Sequence, residues 1–251
     1  MRLLASVLRA SCTMLSSSLT KSLPSLAAES RRLVLLRHGE TDWNAQGKMQ
    51  GGGFDIPLND NGRKQAASVA QVLRGMALDV VASSHLARAT QTADIIVSEL
   101  QQPSDNVVRV SNADFGEMRF GHFEGATIRG PESTEEVKAN LFLATSKLLG
   151  NVNAEYPGGG ESTLQVATRA RQGLDSLLTE YPNAQTICVV GHGRMNKILL
   201  AALLFDNVLE FDEIRQGNTC INVLDMDLEG KWTAHVLNSV EHVHPQVKEF
   251  L

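Results

Sequence analysis

The fold class this sequence predicts is a three-layer α/β/α sandwich around a mainly parallel central sheet. Two observations lead to it. From residue 33 onward, short runs of branched apolar residues alternate with longer segments of helical periodicity. Polar clusters containing glycine, serine or histidine then follow the ends of several apolar runs, as they do where parallel strands feed loops along one edge of a sheet.

The elements follow in order. Leu33-Val34-Leu35-Leu36 reads as a buried strand. Gly62 to Leu73 reads as a helix entered through the turn-rich Asn59-Asp60-Asn61-Gly62. Val80-Val81-Ala82 ends a second strand, and Ala87 to Leu100 is a helix that must stop before Pro103. Val107 to Val110 is a third strand, and Glu135 to Leu149 a helix closed by Gly150. Gly158-Gly159-Gly160 is a loop, and Ser162 to Tyr181 a helix stopped by Pro182. Thr186 to Val190 is a fourth strand, followed by a helix from about Met195 to Phe205, with Met195, Ile198 and Leu199 on its core face. Ile221 to Met226 and Trp232 to Leu237 are two closing strands around Glu229-Gly230. The sequence contains no internal repeat and no linker after residue 31, so residues 32–251 read as one domain.

Residues 1–31 differ from the rest. Arg2, Arg9 and Lys21 are the only charges before Glu29, serine is abundant, and Leu3, Leu4, Val7, Leu8, Cys12 and Leu15 recur at helical spacing. The pattern is that of an organelle transit peptide, which places the protein in mitochondria or plastids. The alternative is a disordered start, with initiation at Met14 and a cytoplasmic protein.

Composition narrows the function. A net charge of -5 argues against a nucleic-acid partner, so any anion site must be a local arginine cluster in a mildly acidic surface. Cys12, Cys188 and Cys220 are too few and too scattered for a disulfide framework. There is no CxxC pair and no HExxH, hence no support for a metal site, and no apolar run of membrane-spanning length.

Three of the polar clusters carry chemistry: Arg37-His38-Gly39-Glu40-Thr41, Ser83-Ser84-His85-Leu86-Ala87-Arg88 and Gly191-His192-Gly193. Each follows a predicted buried strand, so all three can converge on one crevice beyond the carboxyl ends of a parallel sheet. Two histidines and two arginines meeting there make a pocket for a tetrahedral anion, since guanidinium forks match phosphate oxygens in pairs. Gly39 and Gly193 allow the backbone to come close.

At this point the sequence resembles a known family. Leu35 to Thr41 with Trp43-Asn44, then Gln50-Gly51, Asp55-Ile56-Pro57-Leu58, Gly62, Gln65-Ala66 and Ser84 to Ala93 are similar to the ordered motifs of the histidine phosphatase superfamily, the phosphoglycerate mutase-like proteins. The likeness continues through Glu117, Gly121 to Gly125, Pro157 to Ser162 and Val190-Gly191-His192-Gly193, and spans about residues 32 to 240. It implies a metal-independent and cofactor-free phosphatase acting on a small phosphorylated metabolite, with no nucleic-acid or membrane partner. His38 is then the nucleophile that becomes a phosphohistidine. Arg37, Arg88 and His192 hold the transferring phosphoryl oxygens, with Asn44 adding a neutral donor. Glu117 is the acid/base, with Asp114 and Glu124 as nearby acidic rivals for that role and Glu124 structural by default. Gln50, Gly51 and Gly193 line the substrate side, Pro157 to Ser162 form a loop near it, and Arg194 and Lys197 add charge toward the distal end. His85, His122, His235, His242 and His244 are surface or packing residues.

The sequence departs from the family pattern in places. Gly191 stands where serine or threonine is usual, and Phe123 where tryptophan is common. The mutase branch resembles itself in a Glu-Arg-His-Tyr-Gly stretch, with a lysine after it and a paired arginine further on. Here Glu117 is followed by Met118-Arg119-Phe120-Gly121, Ile128 falls near the lysine position, and no Arg-Arg pair occurs between Gly125 and Gly160. Arg119, Arg129 and Lys138 are the cations available to compensate. That points to a phosphatase rather than a bisphosphoglycerate-dependent mutase. The intact set Arg37, His38, Arg88, Glu117 and His192 argues against a third alternative, a non-catalytic phospho-ligand binding protein.

Overall fold

A computed structural model describes residues 22–100, 107–205 and 207–243. The expectations for residues 1–21 and for His244 lie outside these.

The sheet has six strands in the order β3-β2-β4-β1-β5-β6. They are β1 (Arg31–Arg37), β2 (Val80–Ser83), β3 (Val108–Ser111), β4 (Thr186–Gly191), β5 (Ile221–Met226) and β6 (Trp232–Ser239). β1, β4, β2 and β3 run parallel, while β5 and β6 pair antiparallel at one edge. In register, Arg37 of β1 sits opposite Gly191 of β4. The two histidines that follow these residues therefore leave the sheet side by side.

Side chains alternate across the pleat and feed two separate cores. Leu33, Leu35, Val80, Ala82, Ile187 and Val189 face one side and pack with Leu174, Leu177, Ile198 and Leu199. Val34, Leu36, Val81, Cys188 and Val190 face the other and pack with Val69, Leu73, Ala93 and Ile96. Strands buried on both faces account for the continuous apolar runs, which is the signature of a covered parallel sheet. Cys188 and Cys220 are buried free thiols.

The helices are α1 (Asp42–Ala45), α2 (Asp60–Leu73), α3 (Ala87–Leu100), α4 (Glu135–Gly150), α5 (Thr163–Glu180) and α6 (Gly193–Leu204). Three short 3-10 turns cover Ala113–Phe115, Gly121–Phe123 and Val208–Glu213. α2, α4 and α5 start at side-chain caps on Asn59, Thr134 and Ser162, the last as a reciprocal box with Gln165. α6 begins two residues earlier than its periodicity suggests, and its cap residue His192 makes no side-chain capping bond. What replaces that bond belongs to the site. Among the described residues no helix is long and apolar enough to cross a membrane.

The loop after β1 is clamped against α2 and α3. Gly39 N–H donates to Thr92 Oγ1 at 3.0 Å, and Glu40 N–H donates to Gln65 Oε1 at 2.8 Å. A side chain on Gly39 would sit 2.5 Å from the Gly62 carbonyl oxygen, and one on Gly62 2.0 Å from that of Glu40. The close backbone contact therefore requires glycine on both sides.

Candidate active site

The site opens beyond the carboxyl ends of β1, β2 and β4. Arg37 ends β1 and His38 follows it, His192 follows β4, and Arg88 sits in the first turn of α3. That turn is held from outside the helix, because Asp55 Oδ1 accepts the Ala87 N–H at 2.6 Å.

His38 is 3% exposed. Its Nδ1 lies 2.7 Å from the Gly39 carbonyl oxygen, which can only accept. The proton is therefore on Nδ1 and the lone pair on Nε2. Arg88, 1% exposed, spreads its guanidinium over three acceptors: Nε to His192 Nδ1 at 3.3 Å, Nη1 to the Phe54 carbonyl at 2.9 Å and Nη2 to the Gly51 carbonyl at 2.8 Å. Because Nδ1 of His192 accepts, its proton is on Nε2, which is buried and has no partner among the described residues. The two imidazole rings lie 5.1 Å apart between centroids. Arg37 Nη1 donates to the Gln216 carbonyl at 2.7 Å, and its Nε is also buried, with no partner among the described residues.

Burial, followed by the charges of Arg88 and Arg37, holds the His38 pKa well below the ordinary imidazole range. Burial, then Arg88, does the same to His192. Burial also lowers the Arg88 guanidinium to about 10, against the pull of Glu117 and Asp55. Both imidazoles are thus neutral while both arginines stay charged near pH 7.

Glu117 supplies what the start of α6 lacks. Its Oε2 accepts the Arg194 N–H at 3.1 Å, and its Oε1 accepts the Met195 N–H at 3.0 Å and its neighbour Met118 N–H at 2.9 Å. A carboxylate from a distant loop satisfies amides that a local cap would otherwise take. The backbone beside Glu117 is braced by Arg169 of α5, whose Nη1 donates to the Asp114 and Gly116 carbonyls at 2.8 Å each. Arg169 Nε is also ion-paired with Glu161 at 2.9 Å. Burial alone would raise the Glu161 carboxyl pKa, but the Arg169 bonds and charge outweigh it and hold the group below its ordinary range.

These residues surround a cavity of about 440 Å³ lined by Arg37, His38, Asn44, Arg88, Glu117 and Gly193 among others. Gln50 and Gly51 line it as well. Gln50 Oε1 is buried without a partner among the described residues, and Gly51 has a φ of 61° and would drive a side chain into Glu124 Oε1. Asn44 Oδ1 accepts from Thr41 and Asn218, which leaves the amide N–H₂ as its offer to the cavity. The nine residues singled out from sequence comprise eight of the cavity lining, plus His192 immediately behind it.

Two further expectations change, those for residues 157–162 and for the supply of distal cations. Pro157 to Ser162 do not line the cavity; through Glu161 they brace the loop bearing Glu117. Glu124 accepts the Phe120 and Gly53 N–H groups at 2.9 and 3.3 Å, so it organises the loop and stays off the cavity. His85 and His122 are exposed, His235 pairs with Asp225, and His242 meets Thr219 Oγ1. The missing lysine and paired arginine of residues 125–160 do not leave the distal wall short of cations, and of those named from sequence Arg129, Arg194 and Lys197 reach it. Lys138 pairs with Glu135, but Lys48, Arg129, Arg194, Lys197 and Arg215 all line the cavity. Lys48 sits in an isolated bridge with Thr127 and Arg215 in irregular chain, with no local pattern to mark either.

Residues 33–240 match the family model for branch 1 of the histidine phosphatase superfamily. The chain belongs to that superfamily. Among its relatives within the histidine phosphatases, the metal-independent phosphoserine phosphatase of Arabidopsis thaliana is 34% identical, covering 86% of this chain and 84% of its own. The uncharacterized phosphatase PhoE of Bacillus subtilis is 31% identical, over 86% of this chain and 98% of its own. A mycobacterial glucosyl-3-phosphoglycerate phosphatase solved with VO3 superimposes with a TM-score of 0.69 at 30% identity, over 83% of this chain and 99% of that one.

Proposed function

We propose that this protein is a metal-independent phosphatase that hydrolyses small phosphate monoesters through a phosphohistidine on His38. The observation that carries the reading is the unprotonated His38 Nε2 set among Arg37, Arg88 and the Nε2–H of His192. A buried neutral imidazole beside two guanidinium groups is both nucleophilic and protected from protonation. The relatives named as phosphatases add independent support.

His38 Nε2 attacks phosphorus while the P–O bond to the leaving group breaks. Arg37, Arg88, His192 and Asn44 hold the equatorial oxygens, where charge gathers. Glu117 gives a proton to the departing oxygen, then takes one from the water that attacks the phosphohistidine, and the N–P bond breaks to release phosphate. The arginines supply the positive charge that a divalent cation supplies in other phosphoryl-transfer sites.

Brief incubation with radiolabelled substrate followed by alkaline quenching should trap one acid-labile phosphoryl group per chain, on His38. Near-normal turnover by His38→Ala would overturn the mechanism. One observation favours a second reading, a phosphoglycerate mutase: the cation-lined outer cavity suits a substrate held for phosphoryl return. A coupled assay comparing phosphate release with interconversion of 2- and 3-phosphoglycerate separates the two. We expect release to dominate even with 2,3-bisphosphoglycerate present.

A further inference from the structure

We infer that Asn218 is a positioning residue for the nucleophile: its side-chain amide ties the backbone of His38 to the side chain of Asn44, and so aligns the attacking imidazole with a group that holds the phosphoryl oxygens. The inference rests on the phosphatase reading and adds to it a residue outside the reaction cavity.

The turn Asn218-Thr219 lies just before β5. Asn218 Nδ2 donates to the His38 carbonyl at 3.2 Å and to Asn44 Oδ1 at 3.3 Å. Groups with a single possible role fix the orientation of both amides. Asn44 Oδ1 accepts the Thr41 backbone N–H at 3.2 Å, which identifies that atom as the oxygen. A peptide carbonyl and an amide oxygen then both require a donor from Asn218, and its nitrogen carries two hydrogens, one for each. Thr41 holds Asn44 only within their own capping box. Asn218 is what sets that box against the nucleophile. The Thr219 N–H adds a second bond to the His38 carbonyl at 3.3 Å. Asn218 is absent from the lining of the reaction cavity and borders instead an adjoining cavity of about 350 Å³, shared with Arg37 and Asn44. It therefore touches groups that act and not the ligand.

The surrounding chain holds this turn firmly. Thr219 is buried with a φ of 54°, a left-handed conformation that is costly for a β-branched residue. Its hydroxyl donates to the Asn218 carbonyl at 2.7 Å, so His242 Nε2 is the donor in its 3.2 Å contact with the same oxygen. Asn238 Oδ1 accepts the Gly217 N–H at 2.8 Å. The Gln216 carbonyl receives Arg37 Nη1 at 2.7 Å, while its side-chain Oε1 is buried and accepts from Asn196, Asn222 and Cys220. Strain kept in place by so many neighbours, at a turn that rests on a reacting residue, is explained by what the turn aligns.

The test compares Asn218→Ala and Asn218→Asp with the wild type on p-nitrophenyl phosphate. Asn218→Ala should lower kcat by about 10- to 100-fold while KM changes by less than about threefold, as expected when a reacting group is misplaced. Asn218→Asp keeps the shape but turns acceptors toward two oxygens, so near neutral pH it should lose at least as much. Once protonated, its carboxyl regains one donor, and its kcat relative to the wild type should rise as pH falls toward about 4 to 5. A carboxylate acting only by raising the His38 pKa would move that ratio the other way. Because it preserves side-chain volume, Asn218→Asp answers the question even if the alanine variant does not fold. A cycle with Asn44→Ala should be non-additive, the double variant losing about 3- to 30-fold less than the product of the single losses. An unchanged kcat in Asn218→Ala, no recovery of Asn218→Asp at low pH, or a multiplicative cycle overturns the assignment. Calorimetric titration with vanadate, a mimic of five-coordinate phosphorus, reads the alignment without turnover: Asn218→Ala should bind it about tenfold more weakly than the wild type. Equal vanadate affinities overturn the positioning role. A wild type that releases no phosphate from any ester, while the variant still loses vanadate affinity, sinks only the phosphatase reading.

Discussion

Arg88 donates from Nε to Nδ1 of His192 at 3.3 Å, and this bond decides which nitrogen of the second histidine carries its proton. The same guanidinium anchors the loop at Gly51 and Phe54 through two backbone carbonyls. Arg88 therefore sets a tautomer and a loop position together, besides offering positive charge to the cavity.

Arg88→Lys should fail on these counts although the charge is kept. An ammonium is a point donor and cannot reproduce the three directions of the fork. Loss of kcat/KM on the order of 10²- to 10³-fold is expected, comparable to removing one donor from a preorganised anion hole. Steady-state kinetics on p-nitrophenyl phosphate checks this, and a loss below threefold would show that the fork geometry is dispensable.

Glu117→Gln separates proton transfer from positioning. An amide cannot accept at both of its heavy atoms, so one of the α6 N–H bonds is lost as well as the titratable proton. Alkyl phosphates, whose leaving oxygen needs a proton, should slow by about 10²- to 10⁴-fold. p-Nitrophenyl phosphate, with a good leaving group, should slow much less. Equal losses on both substrates would assign Glu117 a purely structural part.

Stability should fall as the solution is acidified through the ordinary histidine range. The folded-state pKa values of His38 and His192 lie well below the unfolded value of 6.5, so below that pH the unfolded chain binds protons that the native protein refuses. The two groups together should cost up to about 2.7 kcal/mol per pH unit between roughly pH 6 and the folded pKa values. Urea unfolding of the wild type and of a His38→Asn/His192→Asn double variant at pH 7 and pH 5 isolates their share. The difference between the two proteins should move with pH, and parallel behaviour contradicts the assignment.

Chelation should leave activity unchanged. The reaction proposed for this site draws its positive charge from Arg37 and Arg88, so EDTA should not lower the rate, and vanadate, which imitates five-coordinate phosphorus, should inhibit competitively. A strict requirement for added magnesium or zinc would contradict that charge supply.

Gly62→Ala tests the clamp under the nucleophile loop. Alanine improves helix propensity by about 1 kcal/mol, yet its Cβ would lie 2.0 Å from the Glu40 carbonyl oxygen. The steric term should win, with a net loss of about 1–3 kcal/mol by urea denaturation. A stabilised variant would mean that the loop moves away freely.

The strands, long helices and site clusters were legible because their signals are local. Buried parallel strands read as apolar runs, and Asn59, Thr134 and Ser162 announce the helices they cap. The start of α6 was not legible, since its cap is a carboxylate 77 residues away. The bracing of Glu117 by Arg169 and Glu161 was hidden for the same reason, as was the distal charge from Lys48 and Arg215. Residues brought together only by tertiary closure leave no periodicity or spacing to read. A motif identifies the reacting end of the ligand far better than the end that confers selectivity.

α6 links all of this. His192 stands at its cap, its first amides hold Glu117, Asn196 Nδ2 reaches the Leu36 carbonyl of the nucleophile strand at 3.0 Å, and Arg194 and Lys197 line the cavity. Groups serving chemistry and groups serving selection thus ride on one stiff rod and share its degrees of freedom. A slide or tilt of the rod would misalign the proton donor, the second imidazole and the distal cations at once, so the site has no gentle way to be half-assembled. Exchange of the side chains at 194 and 197, by contrast, leaves the rod where it is. New ligands are therefore reached most cheaply by changing what the rod carries on its ligand-facing side, and ancestors or engineered variants with altered selectivity should differ there before they differ in backbone.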